Sequence, residues 1–314
     1  MRIIEAAAVH AALPYDKLTA HLREAFCIGG EVPLRSHYHI DTPGSAAGGT
    51  LLIMPAWQPG RHIGIKAVSV FPDNARVGLP SVIGAYLLLD ANTGAPKAVI
   101  DGVALTLRRT ACASALAARY LARKDAQHLL MVGAGSLAPH LVRAHYAAQR
   151  YKRIEIWNRS RARAEALAAK LSDLDAAVVV ADDLESAVRA ADVISCATLS
   201  REPLVRGDWL RPGTHVDLVG GFTPEMREAD DAAVRKASIF VDSREGALKE
   251  AGDLVVPLKS GLLKPEDVRA DLFELCRADR HARQSENEIT LFKSVGLALE
   301  DLAAAELVAE SVIS

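Results

Sequence analysis

The feature that most constrains the fold is a glycine-rich turn set between a strand-like run and a helical one. The apolar run HLLMV (128–132) leads directly into Gly133-Ala134-Gly135-Ser136-Leu137-Ala138, and the helical pattern LAPHLVRAHYAAQ follows. Strand-like RIEIW, AAVVVA, DVISCA, THVDLVG and ASIFVDS come after it, most of them separated by helical patterns such as RARAEALAAKL and DDLESAVRAA. The last of these is opened by Asp182, with Glu185 three residues on as a capping box requires. Strands that are apolar throughout and alternate with helices imply a parallel sheet covered on both faces. In a G-x-G-x-x-A turn the first glycine permits the tight strand-to-helix reversal and the second lets backbone approach a pyrophosphate. The small sixth residue lets helix pack on strand, and the helix N-terminus offers N–H groups to the phosphates. Residues from about 125 to 245 therefore read as a Rossmann-type dinucleotide-binding unit, with Gly133, Gly135, Ser136 and Leu137 at the phosphates.

The end of the second strand decides which dinucleotide is favoured. An NAD site usually carries an acidic residue there for the ribose 2′-hydroxyl. Here RIEIW runs into Asn158-Arg159-Ser160, with Arg163 close behind, and Glu155 lies inside the strand. Arg159 can stack on adenine and pair with a 2′-phosphate. NADP(H) is therefore expected in preference to NAD(H). Further along, Ala197-Thr198-Leu199 and Val219-Gly220 end two more strands, at the edge where such sheets bind ligands.

The first hundred residues differ in character. After a helix from Tyr15 to Cys27, short strand-like runs (VPLRSHYHID, TLLIMPAW, HIGIKAVSVF, IGAYLLLD, APKAVID) are separated by Pro, Gly, Asn and Asp. Asp90–Pro96 reads as a hairpin turn in which Asn92 and Gly94 can supply positive φ. An α+β unit with a largely antiparallel sheet is expected, joined to the rest by an alanine-rich helix beginning near Arg109. The end of the chain, ITLFKSVGLALEDLAAAELVAE, reads as one amphipathic helix. The fold class is thus α/β, a Rossmann domain plus an α+β domain, divided as 1–121 with 290–314 and 122–289.

Composition narrows the function. The 37 basic and 39 acidic residues nearly balance and aromatics are 5%, so neither a phosphate-seeking field nor a base-stacking platform is present. Nucleic acid is not an expected partner. No apolar run approaches the roughly 18–20 residues of a membrane helix, and the N-terminus lacks the apolar core of a signal peptide, so a cytoplasmic location and no membrane partner are expected. The four cysteines are far apart, without a C-x-x-C pair. His37 and His39 alternate on one strand without a third ligand, so no metal site is expected.

Several segments carry a resemblance. Gly64-Ile65-Lys66, Phe71-Pro72-x-Asn74, Arg109-Thr110-Ala111, GAGSLA, NRS, ATLSREP, LRPGTHVDLVGGFTPEMREADD and FKSVGLALEDLAAA stand in the order of the ornithine cyclodeaminase/mu-crystallin family, and the chain resembles it through almost its whole length. The resemblance implies a Rossmann domain inserted between an N-terminal domain and a returning C-terminal helix, with homodimers formed through the non-Rossmann part. It implies a small α-amino or α-imino acid as substrate, its carboxylate held by three cations that map to Arg35, Lys66 and Arg109, with Thr110 at the cofactor. Arginine offers a carboxylate a planar two-point fork; lysine is a point charge whose pKa can shift to move a proton.

One position departs from the family pattern. Where the cyclodeaminases and the alanine dehydrogenase carry an aspartate two residues after the first glycine of the LVGG strand end, this chain has Phe222. A phenyl ring neither accepts a proton nor orients an ammonium, so reduction of a preformed α-imino acid, such as a ketimine of the Δ1-pyrroline-2-carboxylate type, is the expected activity. The alternatives are ornithine cyclodeaminase and a non-catalytic NADPH-dependent binding protein like mu-crystallin.

Overall fold

The structure, a computed structural model, describes residues 1–43, 48–278 and 282–313. These form two compact units, Met1–Thr110 with Leu297–Ser314, and Ala111–Gly296.

The first unit is built on a six-stranded sheet: β1 (Arg2–Ile4), β2 (Ser36–Ile40), β3 (Gly49–Trp57), β4 (His62–Val70), β5 (Val82–Asp90) and β6 (Pro96–Asp101). Their order is β1-β6-β5-β4-β3-β2, antiparallel except for the β1–β6 pair. The β5–β6 hairpin turns at the expected place, with Gly94 at φ 71°; Asn92 does not take a positive φ, because Asp90 holds the turn through the N–H groups of Asn92 and Thr93. Helices α1 (Ala6–Ala12), α2 (Tyr15–Ile28) and α3 (Gly102–Leu121) accompany the sheet, α3 starting a full two turns before Arg109 with Asp101 accepting from Ala104 N–H. The last helix, Ala298–Ile313, packs on α1, α2, β3, β4 and β5. Alternation puts Met54, Lys66, Tyr86 and Ile100 in one cross-strand row, all buried. A lysine ammonium thus stands in the phase of the core.

The second unit is an eight-stranded, wholly parallel sheet: β7 (His128–Val132), β8 (Arg153–Trp157), β9 (Ala177–Val180), β10 (Val193–Cys196), β11 (His215–Leu218), β12 (Ser238–Val241), β13 (Val268–Asp271) and β14 (Thr290–Lys293). The order β13-β12-β14-β11-β10-β7-β8-β9 reverses chain direction between β7 and β10, the switch point at which such sheets take ligands. Its core is formed of aliphatic residues such as Leu130, Ile194, Val216, Val241 and Leu291.

Three local expectations are corrected. Residues 290–293 are a strand, not the start of the last helix. Thr290, Leu291, Phe292 and Lys293 are all buried between β11 and β12, and Gly296 at φ 85° stands between strand and helix. That helix is not amphipathic either: from Ala298 to Ala309 every residue is buried, Glu300, Asp301 and Glu306 included. The cap of helix Leu184–Ala190 is Asp183, which accepts from Ser186 N–H, while Asp182 pairs with Arg161. Asp230 caps helix Asp231–Lys236, accepting from Ala233 N–H. No described helix is long and apolar enough to cross a membrane.

Candidate functional site

The first unit gathers charge where an apolar core is expected. Lys66 is 2% exposed and Arg109 5%. Lys66 Nζ donates to Asp301 Oδ2 at 2.6 Å; Arg109 donates from Nε to Asp301 Oδ1 at 2.9 Å and from Nη1 to Glu300 Oε2 at 2.6 Å. Asp301 therefore bridges both cations. Neither pair uses the donors on Arg109 Nη2, and Lys66 has three protons with one committed, so both cations keep donors for a further anion. Burial drives the Lys66 pKa down, and the nearby charges of Arg109 and Arg35 push it further; Asp301 opposes them, leaving it at about 8. Burial works against the charge of Arg109, but Asp301 and Glu300 outweigh it and hold its pKa above the ordinary value. Burial likewise opposes ionisation of Asp301, yet Arg109 and Lys66 keep its carboxyl below the ordinary range. Thus the structure brings Lys66 and Arg109 into one ion cluster, and half-buried Arg35, just before β2, lies close enough to act on Lys66 electrostatically. Thr110 follows Arg109 on α3 and is buried.

A third acid of the last helix, Glu306, sits 2.9 Å from His62 Nδ1 and 3.7 Å from Arg61. The Tyr86 hydroxyl, next to Lys66 in the cross-strand row, is buried without a hydrogen-bond partner among the described residues.

The second unit aligns its strand ends by register. Val132 pairs with Trp157 and Cys196, Cys196 with Leu218, and Leu218 with Lys293. Gly133, Asn158, Ala197 and Val219, each the residue after one of these, consequently stand along one edge of the sheet. Gly133 has φ 111°, and a Cβ there would lie 2.6 Å from Ala197 O. A Cβ on Gly220 would come within 2.0 Å of Thr198 O. These glycines are needed for backbone packing, whatever else they contact. Gly135 is different: a Cβ on it would meet nothing, so the turn faces open space. Helix α4 (Ala138–Ala148) begins without a side-chain cap, but its first N–H groups are engaged inside the turn: Ala138 donates to Gly135 O at 3.2 Å and His140 to Leu137 O at 3.0 Å, and Pro139 has none.

Beside this turn lies a cleft of about 380 Å³, lined by Gly135, Ser136, Pro139, Arg163 and Lys170 among others. Arg159 is exposed, and no ion pair is recorded for it among the described residues. The Asn158 amide donates to Ser160 O at 3.0 Å and so shapes the turn. Glu155 is buried inside β8, 3.0 Å from His128 Nε2, and points away from any ribose role. Leu199 is 69% exposed and Phe222 44%. The residues fit a dinucleotide: open backbone at the glycine turn and a basic cleft next to it.

Sequence reasoning missed the groups behind both clusters. Glu300 and Asp301 fall in an alanine- and leucine-rich stretch; the signal was apolar residues on every face of that helix, which leaves its acids no solvent side. In the second unit Glu228, Asp253 and Lys293 are wholly buried together. Only the rarity of a lysine in a buried strand could have pointed there.

The profile of the ornithine cyclodeaminase/mu-crystallin family matches residues 3–314. A Delta(1)-pyrroline-2-carboxylate reductase of Paracoccus denitrificans is 44% identical over 262 residues, covering 83% of each chain. The solved structure of the Thermococcus litoralis Delta(1)-pyrroline-2-carboxylate reductase, in complex with NADH and L-proline, superposes with a TM-score of 0.93 at 33% identity, over 100% of this chain and 98% of that one. An archaeal alanine dehydrogenase dimer with bound NAD does so with a TM-score of 0.92 at 30% identity, over 100% and 96%.

Proposed function

This chain belongs to the ornithine cyclodeaminase/mu-crystallin family, and from that premise we propose that it is a nicotinamide-dinucleotide-dependent oxidoreductase that reduces a cyclic α-imino acid of the Δ1-pyrroline-2-carboxylate class. The observation that carries this reading is a buried lysine with a pKa near 8, bridged by one carboxylate to an arginine that has donors to spare. Imine reduction asks for both: an anchor for the α-carboxylate and a proton for the nitrogen.

In this reading Arg109 takes the substrate carboxylate through its unused Nη2 edge, assisted by Arg35, and Lys66 gives its proton to the imine nitrogen. Asp301 and Glu300 orient the two cations. A fixed carboxylate places the C=N carbon for attack, an orientation effect worth several kcal/mol. The bound reduced cofactor supplies the hydride that converts C=N to CH–NH. Gly133, Gly135, Ser136 and Leu137 hold its pyrophosphate, and Ala197–Leu199, Val219 and Gly220 border it. Phe222 disfavours the cyclodeaminase reading, since removing hydride from an amino acid first requires a neutral amine and no carboxylate stands at that position. The same reading includes a cytoplasmic homodimer. One solved neighbour is a dimer, and edge strand β2 is exposed along its whole length, Tyr38 and Ile40 among its residues.

The test is turnover. With NADPH and a panel of five- and six-membered cyclic imino acids, the purified protein is expected to oxidise cofactor. With L-ornithine and NAD⁺ it should release little ammonia or proline. Silence across the imino acid panel, or rapid proline formation, would overturn the reading.

The choice of NADP(H) rests on this chain's own residues, because the two solved neighbours carry NADH and NAD. Arg159 is exposed and pairs with no acid among the described residues, and Arg163 lines the cleft beside Ser136. Arg161 is spent on Glu165 and Asp182. Arg159→Ala should weaken NADPH about 10- to 100-fold, the loss of a hydrogen bond between charged groups, and leave NADH nearly unchanged. Fluorescence titration of both cofactors checks this; equal affinities in the unaltered protein would remove the argument.

A further inference from the structure

We propose that Glu228 is a positioning residue that shapes the nicotinamide half of the cofactor site by clamping the ends of β10 and β11 together. The inference rests on the cofactor reading above. Glu228 lies in the loop after β11 and is wholly buried. Its Oε1 accepts from Thr198 N–H at 2.6 Å and from the Thr198 hydroxyl at 2.9 Å; its Oε2 accepts from Gly220 N–H at 2.7 Å and Gly221 N–H at 3.3 Å. One carboxylate thus ties the segment after β10 to the segment after β11, and nearly all its lone pairs are used.

The charge is kept in place by a second layer. Lys293, the last residue of β14, has Nζ 3.8 Å from Glu228 Oε2 and 3.1 Å from Asp253 Oδ2. Asp253 Oδ1 in turn accepts from Glu228 N–H at 2.7 Å and Ala229 N–H at 3.0 Å, fixing the backbone that carries Glu228. A buried carboxylate left alone would take up a proton or force the loop open. Burial does press the Glu228 pKa upward, with Lys293 opposing it.

The location gives the clamp its meaning. In a doubly wound sheet one half, here β7 to β9, takes the adenosine side, and the strands beyond the switch point take the other mononucleotide. Glu228 bonds to nothing in the first half. Its partners Thr198 and Gly220 stand at the ends of β10 and β11, packed so tightly that Gly220 has no room for a side chain. With its proton committed to Glu228, the Thr198 hydroxyl in turn accepts from Ser200 N–H at 3.4 Å, which extends the clamp along the segment after β10. Because Glu228 is out of reach of any ligand, its effect on binding must pass through these two backbone segments.

Two variants and two probes test this. Glu228→Gln keeps the shape but sets an NH2 group against donor N–H groups. Glu228→Asp keeps the charge opposite Lys293 and withdraws it from the strand ends, and serves if the first variant does not fold. Calorimetric titration with NADPH, which spans both halves, and with 2′,5′-ADP, which occupies only the adenosine half, separates the possibilities. The expected result is an NADPH affinity lower by about tenfold or more, as for lost charge-assisted hydrogen bonds, with 2′,5′-ADP binding unchanged. Folded variants that bind NADPH as before, or that lose both probes equally, would overturn the proposal. An unaltered protein that binds neither probe would instead mean that the cofactor reading itself fails.

Discussion

Replacing Arg109 by methionine is expected to lower kcat/KM for imino acid reduction roughly 30-fold to several-thousand-fold, the equivalent of about 2–5 kcal/mol for truncating one partner of a dry charge pair. The guanidinium has two tasks. It faces Asp301 and Glu300 with Nε and Nη1 and, in the proposed reading, offers Nη2 to the substrate. Arg109→Lys keeps a positive charge but cannot serve three anions in a plane, so it should recover stability better than rate. The methionine variant is also expected to lose stability: two wholly buried carboxylates lose a partner, and breaking such pairs costs about 3–5 kcal/mol. A lowered melting temperature should accompany the kinetic loss. Kinetics read well below the melting point of each variant, alongside circular dichroism, separate the two effects. Activity within a few-fold of the unaltered protein, on a folded Arg109→Met variant, would remove Arg109 from the substrate's carboxylate.

The two units were unequally legible for a physical reason. A parallel strand buried on both faces is apolar throughout, and a glycine turn between such a strand and a helix has few other uses, so β7 to β12 stand out. β14 did not, because its residues, TLFK, run on without a helix of their own before the SVG turn. Its place between β11 and β12 depends on chain that returns from residue 290, a long-range fact no local pattern carries. β1, of three residues, is too short for a pattern, and β13, VRAD, carries an arginine and an aspartate that break the apolar run. In the first unit the short runs between turn residues identified β2 to β6, and the structure puts Lys66 in the phase of the core.

The candidate site shows the same division. Residues that a ligand would contact through backbone were readable as Gly133, Gly135 and Gly220, since only glycine meets the steric demand, and the structure shows that demand at Gly133 and Gly220 coming from Ala197 and Thr198. Groups acting from behind were not. Asp301 and Glu228 look in the sequence like ordinary acids of a helix and a loop. What marks them is the loss of all solvent together with a cation more than 60 residues away, as Lys293 is from Glu228 and Lys66 from Asp301.

The second large effect belongs to Lys66, and its sign can be worked out. With a pKa near 8 the ammonium is mostly protonated at neutral pH yet acidic enough to release its proton. The rate of imine reduction, read as kcat/KM, should be high below pH 8 and fall as pH rises through it, because the donor is then already neutral. Lys66→Met should abolish this limb and cost on the order of 10²–10⁴ in rate, the usual contribution of general acid catalysis. The imine nitrogen titrates too, so position alone does not identify Lys66; Asp301 does. That carboxylate raises the Lys66 pKa, and Asp301→Asn should move the limb to lower pH while leaving any substrate titration where it was. Stability carries the opposite imprint. The folded pKa lies below the ordinary 10.5, so between about 8 and 10.5 the unfolded chain binds the extra proton and stability rises with pH. The cost of burying the ammonium is fully present below pH 8. Asp301, whose pKa is depressed, contributes stability above the ordinary carboxyl range that is lost on acidification. Should the limb stay in place in Asp301→Asn, the proton reaches the imine from a group other than Lys66.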